Sequence, residues 1–314
     1  PGKMPLVNFS NLDFDQIKAS IQDYLRANSN FTDYDFEGSN LSTIINTLAY
    51  NTYITSYNAN MVTNEVFIDS ATLRENVVSL ARNVGYLPRS RKAPVCNISF
   101  SVDVSGTTAT TVTLKAGIVA ISSKQDNLRT ANLVFSIAND VTVGVDSDGY
   151  ANFLDIDIYQ GTLITQTFNV SSRNKNQRFI LPNPGIDTSL MRVTVKESST
   201  STVQRTFQQF DSLFEVNNNS PIYFVQEIDS ERYEIMFGDG VFGVAVQEPN
   251  FIEVNYIITD GEDGNRVIGV RFAGSLRDNN GNTISGGVSL ITVNDPSYGG
   301  SPIESVESIK KFAT

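Results

Sequence analysis

The stretch Asn30–Pro88 reads NFTDYDFEGSNLSTIINTLAYNTYITSYNANMVTNEVFIDSATLRENVVSLARNVGYLP, and its periodicity separates a helical head from everything that follows. Leu41, Ile44, Ile45, Leu48, Ala49 and Thr52 recur at i, i+3, i+4, i+7 and i+8, the signature of an amphipathic helix. Ser39 or Asn40 is positioned to cap it, because either side chain accepts a hydrogen bond from a first-turn amide. The pattern runs to about Thr63. Beyond Tyr50 it adds Tyr53, Ile54 and Tyr57 on further faces, and a helix that is apolar on several sides needs several packing partners. A second helix opens at Thr72, with Glu75 in capping-box spacing. Leu73, Val77, Leu80, Ala81 and Val84 form its stripe, Gly85 ends it and Pro88 blocks a restart. A shorter amphipathic helix, Asp13–Asn28, precedes both, with Asp13 and Gln16 in capping-box spacing and Phe14, Ile17, Ile21, Tyr24 and Leu25 on one face.

Downstream of Val95 the period changes to two. Ile98, Phe100, Val102 and Val104 alternate with polar residues, as do Leu154, Ile156 and Ile158 with Asp155 and Asp157. Further strands are expected at 111–115, 133–137, 141–145, 165–170, 178–181, 191–195, 222–227, 233–237, 251–259 and 269–273. Many short strands between Gly, Asn and Asp turns point to antiparallel sandwich or barrel architecture. The fold class is therefore α+β: a helical head over residues 1–94, then an antiparallel β region over 95–284. Two β subdomains are expected, with a break near Arg173–Gln177. Residues 285–302, rich in Gly and Ser, read as a linker. Ser301-Pro302 then starts a last helix, striped by Ile303, Val306, Ile309 and Phe312, which reads as the beginning of a further helical domain.

Composition narrows the chemistry. The chain of 314 residues carries a net charge of −11, contains no histidine and has one cysteine. A net anion does not favour phosphate backbones, and the one basic cluster, Arg89, Arg91 and Lys92, reads as a solvated post-helix segment. No run of about 18 apolar residues is present, so no membrane insertion is expected. Without histidine the commonest general base is missing, and so are the Ser-His-Asp triad and His-containing zinc sites. Cys96 reads as a buried structural thiol. No catalytic residue, cofactor or metal is assigned. The polar loops 146–149, 260–265 and 277–283 contain oxygen donors but lack a calcium loop's full ligand spacing, and read as turns. Phe237-Gly-Asp-Gly-Val-Phe-Gly243 is the densest glycine cluster. Gly238, Asp239, Gly240 and Gly243 are read as a structural turn, with Asp239-Gly240 joining 235–237 to 241–244 as a two-residue hairpin. The glycines are followed by neither a helix pattern nor Lys-Ser/Thr, which argues against a phosphate loop.

Two sets of residues carry a family resemblance. Asp33–Gly38, Leu48–Thr52, Leu73–Val78 and Gly85–Ser90, in that order, resemble the N-terminal region of baseplate wedge proteins of contractile-tailed bacteriophages, in the baseplate J-like group. The segments RFILPNPGIDTSLMRVTV and PIYFVQEIDSERYEIMFGDGVFGVAV resemble the β domain of the same group. The resemblance spans about Asp33 to Phe312 and implies a structural, non-enzymatic component of the virion tail baseplate, assembled in the host cytoplasm. It implies that the head joins a helical bundle with a second copy of the chain and a larger neighbouring wedge protein, and takes part in the baseplate's conformational switch. Leu41, Ile44, Ile45, Leu48, Tyr53, Ile54 and Tyr57 are the expected bundle contacts. In the resembled group a Gly-rich stretch and acidic helix like 285–314 introduce a further domain, so the chain reads as the N-terminal portion of a longer protein. A β-sandwich adhesin or carbohydrate-binding module is the alternative; it accounts for Val95–Ala273 but not for the head, and no tryptophan is present for sugar stacking. A carboxylate hydrolase would draw on Asp239 beside Glu234.

Overall fold

The computed structural model describes residues 13–27, 40–126, 129–173, 177–210 and 216–313. The chain divides into a helical unit, residues 1–86 with 305–314, and a β unit, residues 87–304. The helical unit holds α1 (Phe14–Ala27), α2 (Asn40–Glu65), α3 (Arg74–Asn83) and α4 (Val306–Ala313). Asp13 Oδ1 accepts the Phe14 amide at 2.6 Å and opens α1. Ser39 and the Asp33–Gly38 motif lie outside the described residues.

The helix α2 is rich in Asn, Thr and Ser, residues that ordinarily compete with helical backbone. Several of these side chains bond back one turn instead: Thr47 to Thr43 O, Thr55 to Asn51 O, Thr63 to Ala59 O and Asn64 to Asn60 O, at 2.7–2.9 Å. The capping box expected at Thr72 and Glu75 gives way to a longer-range cap. Glu65, the last residue of α2, accepts from the Thr72 amide and hydroxyl, the Leu73 amide and Asn76 Nδ2. A carboxylate at a helix N-terminus satisfies orphan amides and suits the dipole. Burial works against this charge, but these hydrogen bonds outweigh it and hold the Glu65 carboxyl below its ordinary range. The helix α3 closes as expected: Gly85 has φ +82°, its amide donates to Arg82 O, and Tyr86 N donates to Ala81 O, a Schellman ending. Of its stripe, Val77 and Ala81 are buried, joined by Val78, while Leu73 and Val84 are exposed.

The last helix is shorter than its sequence pattern suggests. Ser305 Oγ accepts from Ser308 N at its start, and Ile309 is buried with Ala71, Val77, Val78 and Ala81. In this structure α4 therefore packs within the helical unit. Phe312, assigned to its stripe, is exposed.

The β unit contains β1 (Val95–Asp103), β2 (Thr111–Leu114), β3 (Gly117–Asp126), β4 (Arg129–Ile137), β5 (Val141–Gly144), β6 (Tyr150–Gln160), β7 (Thr162–Asn169), β8 (Phe179–Ile180), β9 (Ile186–Lys196), β10 (Gln204–Gln209), β11 (Ile222–Glu227), β12 (Tyr233–Phe237), β13 (Phe251–Ile258), β14 (Arg271–Phe272), β15 (Leu276–Asp278), β16 (Thr283–Ile284) and β17 (Thr292–Tyr298). The sheet β14-β3-β4-β6-β1-β17 and the sheet β16-β15-β2-β5 enclose one core. There Phe100 stacks on Phe153 at 4.8 Å. The seven-stranded sheet β7-β13-β9-β10-β11-β12-β8 curls around a second core. Its two edges approach where Phe168 of β7 meets Phe179 of β8 at 5.6 Å, giving a near-barrel. Pairing is antiparallel throughout the named strands except between β10 and β11.

The sequence reading is corrected in three places here, and β3 is a strand it did not expect. Residues 285–302 do not form a linker: β17 lies within them and pairs with β1, with Val95 opposite Tyr298. The break between the β cores falls at Gly161, between β6 and β7, and not near Arg173–Gln177, whose flanking strands share one core. β7 to β13 are thus inserted between two parts of the first core. β3 escapes the alternation rule because a register irregularity between Ile118 and Ala120 puts Val119 and Ala120 both inside, as a bulge does. The alternation expected from Leu154 also fails. Asp155 has φ +53° and shifts the phase, so Phe153 and Ile158 face the core while Leu154 is exposed.

The junction of the two β cores is polar and fully bonded. Gln160 is buried, and its Oε1 accepts Thr259 Oγ1 at 2.7 Å and the Asp260 amide at 3.0 Å. Its Nε2 donates to Asp260 Oδ2 at 2.7 Å.

Candidate interaction surface

α2 is the longest helix, and its chemistry is unusual for an element with wide solvent exposure. Its 26 residues include no charged side chain before Glu65, and that carboxylate is committed to capping α3. At about 100° per residue, Ser42, Ile45 and Ala49 lie on one inward line, and these are buried. α1, whose Ile17 is buried, packs against this helix.

Exposed apolar side chains flank that line on both sides. Ile44, Leu48 and Val62 form one flank; Tyr50, Tyr57 and Met61 form the other. Of the seven expected contacts, Ile45 is 1% exposed and belongs to the unit's own packing, whereas Ile44 and Tyr57 are each 54% exposed. Leu48 is also exposed, and Leu41, Tyr53 and Ile54 are half-buried. Sequence reasoning missed Tyr50, Met61 and Val62. The signal that could have found them is the absence of charge along all faces of the helix, since charged residues are depleted where interfaces are most buried.

The glycine-rich segment is a turn of another kind than the expected hairpin. The expected strand at 241–244 does not form, and the next strand after β12 is β13. Asp239 Oδ1 accepts the amides of Val241 and Phe242 at 2.9 and 2.8 Å, and Gly240 N donates to Gly243 O at 3.1 Å. The next amides, Gly243 and Val244, donate to Asn217 O and Ser220 O. They are therefore unavailable to β12, and the chain folds across the strand's end. A Cβ at Gly238 would sit 2.4 Å from Phe242 O, and one at Gly243 2.8 Å from the Ile222 side chain. Close approach of backbone is the reason for Gly238, whereas Gly243 combines a φ of +82° with the nearby Ile222 side chain.

The carboxylates proposed for hydrolysis are otherwise engaged. The bonds from Phe242 and Val241 hold the Asp239 carboxyl below its usual range. Glu234 accepts two bonds from the Arg178 guanidinium, at 2.7 and 2.6 Å, and one from Gln226. Glu234 lines a cleft of about 520 Å³ with Phe179, Phe237, Ser172 and Glu248. The Ser172 hydroxyl and amide lower the Glu248 carboxyl as well. Asp239 is thus committed to its own turn and Glu234 to Arg178 and Gln226.

The other singled-out groups are structural. Burial, then the nearby charges of Asp157 and Asp295, push the Cys96 thiol up to about 11, far from a thiolate nucleophile. In the polar loops, Asp146 accepts from the amides of Asp148 and Tyr150, and Asp278 from those of Asn280 and Asn282. Both are turns closed by their own aspartate. Among the described residues no helix is long and apolar enough to cross a membrane.

With this surface described, comparison with known proteins finds a likeness for the helical unit. Residues 13–86 match the helical domain of gp6-like baseplate wedge proteins. The match ends where the helical unit's first segment ends, at Tyr86. The chain is also similar to baseplate wedge protein gp6 of Enterobacteria phage T4, with 24% identity over 325 aligned residues. That alignment covers 96% of this chain and 46% of the T4 protein, so the chain spans about half the length of the curated relative it matches. The wedge similarity thus extends from the helical domain through both β cores.

Proposed function

We propose that this chain is a structural component of a phage baseplate wedge, located in the virion tail and assembled in the host cytoplasm. The observation that carries the reading is α2: an uncharged helix, exposed and apolar on two flanks, inside a wedge-type helical domain. Its partners are a second copy of the chain and a larger neighbouring wedge protein, packed in one helical bundle. Two flanks on either side of the inward line suit two such neighbours. A shared bundle of this kind belongs with permanent interfaces of more than about 2,000 Å². The unit would then contribute to the baseplate's conformational switch through alternative packings of its bundle, which need differ by only a few kcal/mol.

Co-expression with the larger wedge protein, followed by size-exclusion chromatography with light scattering, tests this. The wild-type chain is expected to elute in a complex containing more than one copy. Leu48→Asp and Tyr57→Asp, one on each flank, are expected to remove one neighbour each while leaving the β unit folded. Unchanged complexes with both substitutions would sink the reading.

A further inference from the structure

The β unit contains both places where the chain passes to and from the helices, at Leu87 and at Glu304. These two segments run side by side. Lys92 N donates to Ser301 O and Ser301 N to Lys92 O, both at 3.1 Å, and Glu304 N donates to Arg89 O at 3.1 Å. The Glu304 side chain turns back on the pair. It is 0% exposed, and its Oε2 accepts the Arg89 amide at 2.9 Å. The Arg89 guanidinium, largely in solvent, stands 3.8 Å from the other carboxylate oxygen.

Each segment is also fixed to other parts of the β unit. Ser90 Oγ bonds Thr188 Oγ1 at 2.9 Å, and Ala93 N donates to Asp187 Oδ2 at 2.7 Å. On the returning segment, Gly300 N donates to Asn265 Oδ1 and Gly300 O accepts from Asn265 Nδ2, at 2.9 and 3.0 Å. Flexible linkers leave their backbone to water; these two segments bond to each other and to the β unit. A buried carboxylate accepting a backbone amide is a strong, charge-assisted bond, and removing it leaves that amide orphaned.

We propose that Glu304 is a latch that joins the two crossing segments into one strap, so that they open and close together rather than as two independent tethers. The proposal concerns the single chain and stands apart from the wedge reading. Failure of partner binding leaves it untouched, and its own test needs no partner.

Amide hydrogen exchange on the full chain tests it. In the wild type the amides of Arg89, Lys92, Ser301 and Glu304 are expected to exchange with one common opening rate. Glu304→Ala is expected to speed all four by at least ~10-fold, with the amides of β9 and β13 unchanged. Glu304→Gln keeps the shape and one acceptor oxygen, and guards against loss of folding in the alanine variant. It is expected to move the same four amides together by a smaller factor. Acceleration confined to the Arg89 amide in either variant would overturn the proposal, since Glu304 would then be a local cap. Arg89→Ala is expected to leave the four amides as they are; an effect as large as that of Glu304→Ala would put the latch in the exposed ion pair and overturn the assignment as well.

Discussion

The helical unit and the β unit solve burial differently. In the β unit, two cores are each enclosed by strands of the same chain, and large side chains such as Phe135, Phe153, Tyr223 and Tyr256 are almost wholly withdrawn from water. Among the described residues of the helical unit, Ala71, Val77, Val78, Ala81 and Ile309 form one buried cluster and Ile17, Ile45 and Ala49 are buried besides, while α2 keeps Ile44, Leu48, Tyr50 and Tyr57 exposed. Apolar area removed from water is the main source of folding stability. The difference teaches that the β unit encloses its large apolar side chains, whereas α2 leaves apolar side chains in water, as the proposed interface requires.

The largest expected effect breaks the comparison from the β side. Phe153→Ala removes a ring stacked on Phe100 and is expected to cost about 3–5 kcal/mol, read as a lower urea midpoint of the β signal. Ile44→Asp in α2 is the counterpart. It is expected to leave that midpoint within about 0.5 kcal/mol but to weaken assembly by roughly 30-fold, the scale of a hot-spot residue. Equal loss of stability in both variants would erase the distinction between the units.

Two smaller effects sharpen it. Gln160→Leu leaves the Thr259 hydroxyl and the Asp260 amide without their acceptor and is expected to cost about 1–3 kcal/mol. Differential scanning calorimetry would then show the two β cores melting less cooperatively. In the helical unit, Glu65→Gln weakens the cap on α3 and is expected to cost about 1 kcal/mol. The pH dependence follows from the lowered carboxyl of Glu65. Its contribution is complete above the unfolded value of about 4.3 and is lost as pH falls through the folded value. Helical circular dichroism followed from pH 6 to pH 3 should therefore show a step that is smaller in the glutamine variant.

How much was legible in the sequence depended on whether the signal was local. The C-terminal end of α3 and the alternation of β1 are written in adjacent residues, and both are found where expected. β17 was not legible, because TVNDPSY has no strong period and becomes a strand only by pairing with β1 nearly 200 residues away. The cap on α3 comes from Glu65 across a loop, so the nearer and more familiar Thr72–Glu75 spacing was misleading. At Asp155 a single positive φ reversed the phase of a strand whose residues alternate cleanly on paper. For the candidate surface, the residue types along α2 could be read directly, but the helical pattern alone could not separate Ile45, which is buried, from its neighbour Ile44, which is not.

The sequence by itself determined the kinds of element, the change from a helical to an alternating period at Val95, and the chemistry withheld from the chain by its lack of histidine. These depend on residue type and short-range spacing, which packing does not alter. Only the tertiary structure decided that the supposed linker is a sheet edge, that the glycine-rich turn folds across β12, and that Glu304 closes on Arg89. Each of those depends on which distant backbone groups compete for one hydrogen-bond partner, and that competition is settled only when the chain is folded.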